Sequence, residues 1–195
     1  MILCPDIFPN QVKVEIKKIA PTLILPWLEL TWREHLQEVA EISGKKREAV
    51  AWLKRYQDKV SKTRLKLREK LGSKSISLLH VMCGHLVVYG KRNVGAVLYE
   101  DLGLTSAYNY EDIDLYKVIH THELSEFLGD HILLIIDQDV SSQLTWQSVN
   151  QSTEWKKLRA VQMGNVQMLK EMPWLDYSPY AHEQVVDLAV ETLCT

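Results

Sequence analysis

Residues 131–136 read His-Ile-Leu-Leu-Ile-Ile (His131–Ile136), a run that is apolar almost throughout. A strand with one solvated face alternates apolar and polar residues, whereas a strand inside a parallel sheet is apolar on both faces. The run therefore predicts an inner strand of a mainly parallel sheet with helices on both sides. A second strand of this kind is predicted at Ser75–Met82.

Strand and helix patterns alternate around these two runs. We expect helices at Asn93–Leu102, Thr121–Phe127 (capped by Thr121), Gln143–Leu158 and Ser178–Leu193, a short strand at Val118–Ile119, and a hairpin at Ala160–Leu169 turning at Gly164-Asn165. Tyr180 is in phase with the apolar stripe of the last helix and is expected in the core. The alternation predicts an α/β fold class: a three-layer α/β sandwich lobe over residues 75–195.

The first 74 residues follow a different pattern. The proline-punctuated run Ile19–Pro26 predicts one buried strand, and Thr31 with Glu34 forms a capping box that starts a helix. A long helix is predicted across Lys46–Leu71, because apolar residues recur there at helical spacing. One strand and two helices are too few to bury a core alone.

Composition excludes several classes of protein. The chain has 195 residues, of which 46% are hydrophobic and 25% charged, an ordinary globular mixture. No apolar run approaches the ~20 residues of a membrane span. The three cysteines, Cys4, Cys83 and Cys194, are far apart and are expected to be reduced thiols. The N-terminal residues lack the features of a secretory signal, so we expect a cytoplasmic protein or one whose start is missing.

The net charge of −2 hides an asymmetry along the chain. Residues 44–74 contain 12 Lys or Arg against 3 Asp or Glu, whereas residues 97–195 contain 5 against 16. A nucleic-acid footprint is one interpretation of the basic stretch. A solvated helix face is the favoured one, because the apolar residues of the stretch recur at helical spacing.

Six motifs, taken in order, resemble the iron-siderophore and cobalamin class of solute-binding proteins. They are Ile19-Ala-Pro-Thr22, Trp32-Arg-Glu34, Ala49–Leu53 with Tyr56, Val97–Leu104, His122–Leu124 with Asp130–Ile132, and Trp155–Val161 with Gly164–Val166. The resemblance implies a two-lobed binding protein, truncated, with its ligand in the cleft between lobes. It assigns residues 1–30 to a remnant of the first lobe, 31–74 to linking helices and 75–195 to the second lobe.

The resemblance also implies a function. The segment Trp174–Glu183 is most similar to the sensor domain fused to AraC-type regulators, so we expect a siderophore-binding, ligand-sensing domain of a bacterial transcriptional regulator. DNA would be bound only through an absent upstream module. The alternative is an extracytoplasmic, lipid-anchored solute-binding protein that delivers its ligand to an ABC permease. A third hypothesis is a lobe used only for partner contacts, and apolar positions such as Ile19, Leu23 and Leu25 make self-association of the fragment plausible.

A ferric siderophore is large and often anionic, so its pocket needs cationic and aromatic side chains. Ligand pockets of open α/β lobes form at the carboxyl ends of strands, which directs attention to the segment after Ser75–Met82. The candidate ligand-binding residues are His80, His85, Tyr89, Lys91, Arg92 and Trp174. Simple solvation of a loop is an equally good interpretation of Lys91 and Arg92.

No cofactor and no catalytic activity are expected. His80, Cys83 and His85 lie close in sequence, as do His120 and His122, but neither group offers a full metal-ligand set, so no protein-bound metal is predicted. Iron is expected only as part of a bound siderophore. No catalytic motif is present. In the transport alternative Glu123 would dock onto the permease, and stabilisation of a helix N-terminus is the competing interpretation.

Overall fold

The computed structural model describes residues 1–194. The chain divides into two compact units, residues 1–53 and the residues from Lys54 onward, so the boundary falls inside a helix. The first unit contains β1 (Ile2–Pro5), α1 (Asn10–Ile19), β2 (Thr22–Leu25), α2 (Trp32–Ile42) and the start of α3 (Lys46–Leu71). None of the described helices has the length and apolar character that a membrane span needs.

The first unit differs from its sequence-based prediction. β1 and β2 form a parallel pair in which Leu3 lies opposite Leu23, and neither β1 nor α1 was expected. The strand predicted at Ile19–Pro26 is shorter, and of its residues Leu25 is buried while Ile19 and Leu23 are exposed. These elements escaped prediction because β1 has only four residues and α1 buries none of its side chains.

The capping box at the start of α2 is confirmed. The Thr31 side chain accepts a hydrogen bond from the Glu34 backbone N–H at 3.3 Å, and the Glu34 carboxylate accepts one from the Thr31 N–H at 2.7 Å. The hydrogen bonds from Thr31 lower the pKa of Glu34. Two backbone donors at the start of the helix are thus satisfied reciprocally, which explains why α2 begins at Trp32.

Helix α3 is unbroken over its 26 residues, as predicted. In the part that belongs to the second unit, one stripe is buried at spacings of three or four residues: Tyr56, Val60, Thr63, Leu67 and Leu71. The helix ends at Gly72, whose φ of +59° is costly for any residue with a Cβ. The buried stripe fixes one face of α3 against the second unit and leaves the other faces to solvent.

The second unit is built on one mixed sheet. Its strands are β3 (Ser75–Met82), β4 (His85–Tyr89), β5 (Thr105–Ser106), β6 (Tyr116–Ile119), β7 (His131–Ile136) and β8 (Val166–Met168), in the order β6-β4-β3-β7-β8, with β5 also paired to β3. β7 lies between β3 and β8 and is parallel to both, which confirms the predicted inner strand. β4 is antiparallel to both β3 and β6.

Helices cover both faces of this sheet, so the three-layer α/β fold class is confirmed. They are α4 (Leu124–Phe127), α5 (Val140–Gln151), α6 (Thr153–Lys157), α7 (Arg159–Gln162), α8 (Pro179–Leu193) and a π-helical turn at Ala96–Asp101. Leu79 and Leu134 pack on one face with Trp155, while Leu78 and Leu133 are buried on the other. The Tyr56 hydroxyl donates to the Asp101 carboxylate at 2.6 Å and joins α3 to the π-helical turn.

Several local predictions are wrong. The hairpin expected at Ala160–Leu169 is α7 followed by β8, because Gly164 (φ +72°) ends a helix there. The helix expected at Gln143–Leu158 breaks at Ser152, whose side chain caps α6.

The helix expected at Asn93–Leu102 is π-helical over Ala96–Asp101. The segment expected to be capped by Thr121 is instead capped by His120, whose N–H donates to the Glu123 carboxylate. Tyr180 is 69% exposed rather than in the core.

Candidate functional site

The hairpin of β3 and β4 determines where the candidate residues lie. Cys83 (φ +48°) and Gly84 (φ +78°) form its tight turn, and Met82 pairs with His85. The segment after β3 is therefore a returning strand rather than a loop. The five residues of β4 span about 16 Å. His85 therefore lies beside the carboxyl end of β3, whereas Lys91 lies toward the amino end of β3.

Lys91 and Arg92 form a cationic and aromatic cluster with two residues from distant parts of the chain. Lys91 Nζ lies 2.9 Å from Asp114 Oδ1, and the Arg92 guanidinium carbon lies 5.9 Å from the ring centroid of Tyr177. The hydrogen bond between Lys91 and Asp114 raises the pKa of Lys91 and lowers that of Asp114. We call these four residues the Lys91 patch.

The backbone beneath the Lys91 patch is tightly constrained. The Gly90 and Lys91 N–H groups donate to the carbonyls of Leu115 and Ile113, each at 3.1 Å. A Cβ on Gly90 would lie 1.6 Å from the Ile113 carbonyl oxygen, and one on Gly95 would lie 1.7 Å from the Gly90 carbonyl oxygen. Both positions require glycine because backbone packs directly on backbone. The patch is consequently held by a rigid bend rather than by a loose loop.

His80 and Tyr89 lie inside the fold. His80 Nδ1 is 2.9 Å from the Tyr89 hydroxyl and His80 Nε2 is 2.6 Å from Asp137 Oδ1, so the imidazole links β3, β4 and the end of β7. Their exposed fractions are 3% and 5%, and burial raises the pKa of Tyr89. In this conformation both rings are screened from solvent and make their hydrogen bonds within the fold.

The other candidates are dispersed. Trp174 is 3% exposed and lies three residues before Tyr177 in the chain. His85 is exposed at the opposite edge of the sheet. The structure therefore brings Lys91 and Arg92 together with Tyr177, and it separates His85 from them. Asp114 was missed, since no sequence signal connects it to Lys91.

Glu123 lies at the carboxyl end of β6, where its carboxylate accepts the His120 N–H at 2.7 Å. The rings of His120 and His122 are stacked, with centroids 5.5 Å apart. Within residues 1–194, no three His, Cys, Asp or Glu side chains converge as a metal ion requires. The observed contact of Glu123 is that of a helix-starting carboxylate.

Comparisons with known proteins identify the family. A family model described as periplasmic binding protein matches residues 11–173, well over half of the chain. The iron(3+)-hydroxamate-binding protein FhuD of Bacillus subtilis is 29% identical over 92% of this chain and 58% of its own length. The HTH-type transcriptional activator Btr of the same species is 26% identical over 99% of this chain and 36% of its own length.

Solved structures agree with the fold. A FhuD-fold periplasmic binding protein component of a ferrichrome ABC transporter from Bacillus subtilis superimposes with a TM-score of 0.80 at 26% identity, covering 98% of this chain and 73% of that one. FhuD2 from Staphylococcus aureus with bound ferrioxamine B has a TM-score of 0.83 at 19% identity, covering 98% and 75%, and shows the fold alone.

These relatives are binding proteins and a transcriptional activator, not enzymes, in agreement with the sequence-based prediction. The chain spans between about a third and three fifths of the length of these curated relatives. Family and fold agree with the resemblance carried by the six sequence motifs. The chain belongs to the periplasmic binding protein family.

Proposed function

We propose that this chain recognises a ferric siderophore, or a similar iron-chelating small molecule, as one side of a two-lobed binding site. The observation that carries the proposal is the Lys91 patch, in which two cations and an aromatic ring come together on a rigid bend. Relatives whose names include iron(3+)-hydroxamate binding and a ferrichrome transporter support the same ligand class. Iron enters only as part of the ligand, with no resident cofactor.

The chemistry of the patch suits such a ligand. An anionic oxygen of the complex can replace Asp114 as the partner of Lys91, because both groups are exposed and the ion pair is exchangeable. Arg92 offers a planar, permanently charged group beside Tyr177, and the ring offers a face for the ligand's organic part. The patch supplies contacts from one side only, so we expect weak binding by the isolated chain.

For the biological role we propose a ligand sensor within a transcriptional regulator, placed in the cytoplasm. The alignment with the activator Btr covers 99% of this chain, compared with 92% for FhuD. DNA would then be contacted by a separate upstream module.

Transport is the second candidate function, and the higher sequence identity to FhuD supports it. In that role the protein would be extracytoplasmic, and Glu123 would contact the permease. Sequence upstream of Met1 discriminates them: helix-turn-helix units or a signal peptide with a lipid-anchor cysteine.

The ligand proposal is tested by tryptophan-fluorescence titration of the full-length protein with a ferric tris-catecholate. Replacing Lys91 and Arg92 together by Ala should weaken binding, and more strongly at low salt, because exposed charges are screened within ~10 Å at 0.1 M salt. The matched control replaces Lys156 and Lys157, which are exposed on α6, by Ala. Unchanged affinity of the Lys91 and Arg92 variant at both salt concentrations would remove the patch from the site.

A further inference from the structure

Helix α3 carries a concentration of positive charge that the ligand proposal does not use. Residues 54–74 contain nine Lys or Arg against two Asp or Glu, whereas residues 75–194 contain seven against sixteen. The charge of the second unit is therefore strongly segregated onto one helix.

Most of these cations project into solvent. Eight of the nine are exposed: Lys54, Arg55, Lys62, Arg64, Lys66, Arg68, Lys70 and Lys74. Two of the nine also have partners within the fold, since Lys59 pairs with Asp187 at 2.8 Å and Arg64 donates to the Asp101 carbonyl. The apolar stripe of α3 is already buried, which holds the helix in place, and the charged side chains on its other faces point into solvent.

The geometry favours a linear polyanion. Arg55, Lys62, Lys66 and Lys70 recur at spacings of seven, four and four residues, which places them along one flank of the helix over about 22 Å. Duplex DNA presents roughly one phosphate per 1.7 Å of axis, so such a flank faces several phosphates at once. On the side toward Arg64 and Arg68, a groove of about 610 Å³ is lined by these two arginines and the glycine-containing turns that follow α3 and the π-helical turn.

A lipid surface fits less well. Basic helices that bind membranes insert an apolar face beside their charges. The apolar residues of α3 in the second unit are buried, with Leu65 (69% exposed) as the exception.

We propose that the exposed face of α3 is a docking surface for the phosphate backbone of duplex nucleic acid, without sequence selectivity. This inference rests on the proposed cytoplasmic role and not on the ligand proposal.

The test measures binding of this chain to a labelled 20-base-pair duplex by fluorescence anisotropy between 25 and 200 mM salt. The variant replaces Lys62, Lys66 and Lys70 by Gln, and the matched control replaces Lys156, Lys157 and Lys170, which are also exposed, by Gln. We expect the slope of log K against log salt to fall in magnitude by about one per α3 lysine removed, while the control keeps the wild-type slope.

Three outcomes would overturn the inference. These are absence of duplex binding at 25 mM salt, equal loss in both triple variants, or binding to phosphatidylserine vesicles with none to the duplex. We expect the circular dichroism spectra of both variants to match the wild type, because Gln is a good helix former.

Discussion

Replacing Gly90 by Ala should destabilise the second unit far more than the size of one methyl group suggests. The new Cβ would lie 1.6 Å from the Ile113 carbonyl oxygen and 2.4 Å from its carbon, whereas ordinary contact begins near 3.4 Å. Rotation of a side chain cannot relieve this overlap, because the obstacle is backbone. The carbonyl must move by almost 2 Å, which breaks its hydrogen bond with the Lys91 N–H.

The expected cost is about 3 kcal/mol, from 1–3 kcal/mol for overpacking and about 1 kcal/mol for the lost hydrogen bond. Urea unfolding followed by tryptophan fluorescence should show a midpoint lowered by about 1–2 M. The control is Gly164→Ala, where φ is +72° but no atom lies within 4 Å, so only a conformational cost of about 1–2 kcal/mol is expected. If Gly90→Ala is no more destabilising than Gly164→Ala, the bend beneath the Lys91 patch is not as tight as described.

Other substitutions test other parts of the structure. His80→Phe leaves the Tyr89 hydroxyl and the Asp137 carboxylate without their shared partner and should cost about 2–4 kcal/mol in urea unfolding; a neutral result would contradict a structural role. Leu67→Ala in the buried stripe of α3 should cost about 2–5 kcal/mol, whereas Leu65→Ala, on the exposed face, should stay within about 0.5 kcal/mol. The hydrogen bonds from Ser75 lower the pKa of Asp130, so its stabilising contribution is present above the unfolded value near 3.9 and is lost as pH falls through the lower folded value. Asp130→Asn should accordingly flatten the loss of stability as pH falls below about 4 in thermal unfolding scans, and an unchanged acid limb would refute this.

Elements with strong periodicity were predictable from sequence. The inner strand His131–Ile136, the strand Ser75–Met82 and helix Lys46–Leu71 have the predicted bounds, because their patterns are long or continuous and end at clear signals such as Gly72. The return strand His85–Tyr89 was not predicted. The segment after Ser75–Met82 is interpreted from sequence as a loop, whereas the turn at Cys83-Gly84 returns it as a strand antiparallel to β3.

The missing hairpin explains why the structure does not bring all the candidate residues together. Proximity in sequence grouped His85 with Lys91, whereas strand reversal separates them along β4. Within the Lys91 patch, Asp114 lies 23 residues after Lys91 in the chain, and Tyr177 lies 85 residues after Arg92. Contacts of this range depend on tertiary structure, which no local pattern encodes.

The most direct test of the account is a paramagnetic broadening experiment on the isotopically labelled chain. A ferric tris-catecholate broadens amide signals near its binding site even when affinity is low, and the gallium complex serves as the diamagnetic control. We predict selective broadening at residues 90–93, 113–116 and 174–178, with the signals of residues 83–85 and 120–123 unaffected. Broadening centred on His85 and His120, or none above the gallium control at millimolar complex, would contradict the assignment of ligand recognition to the Lys91 patch.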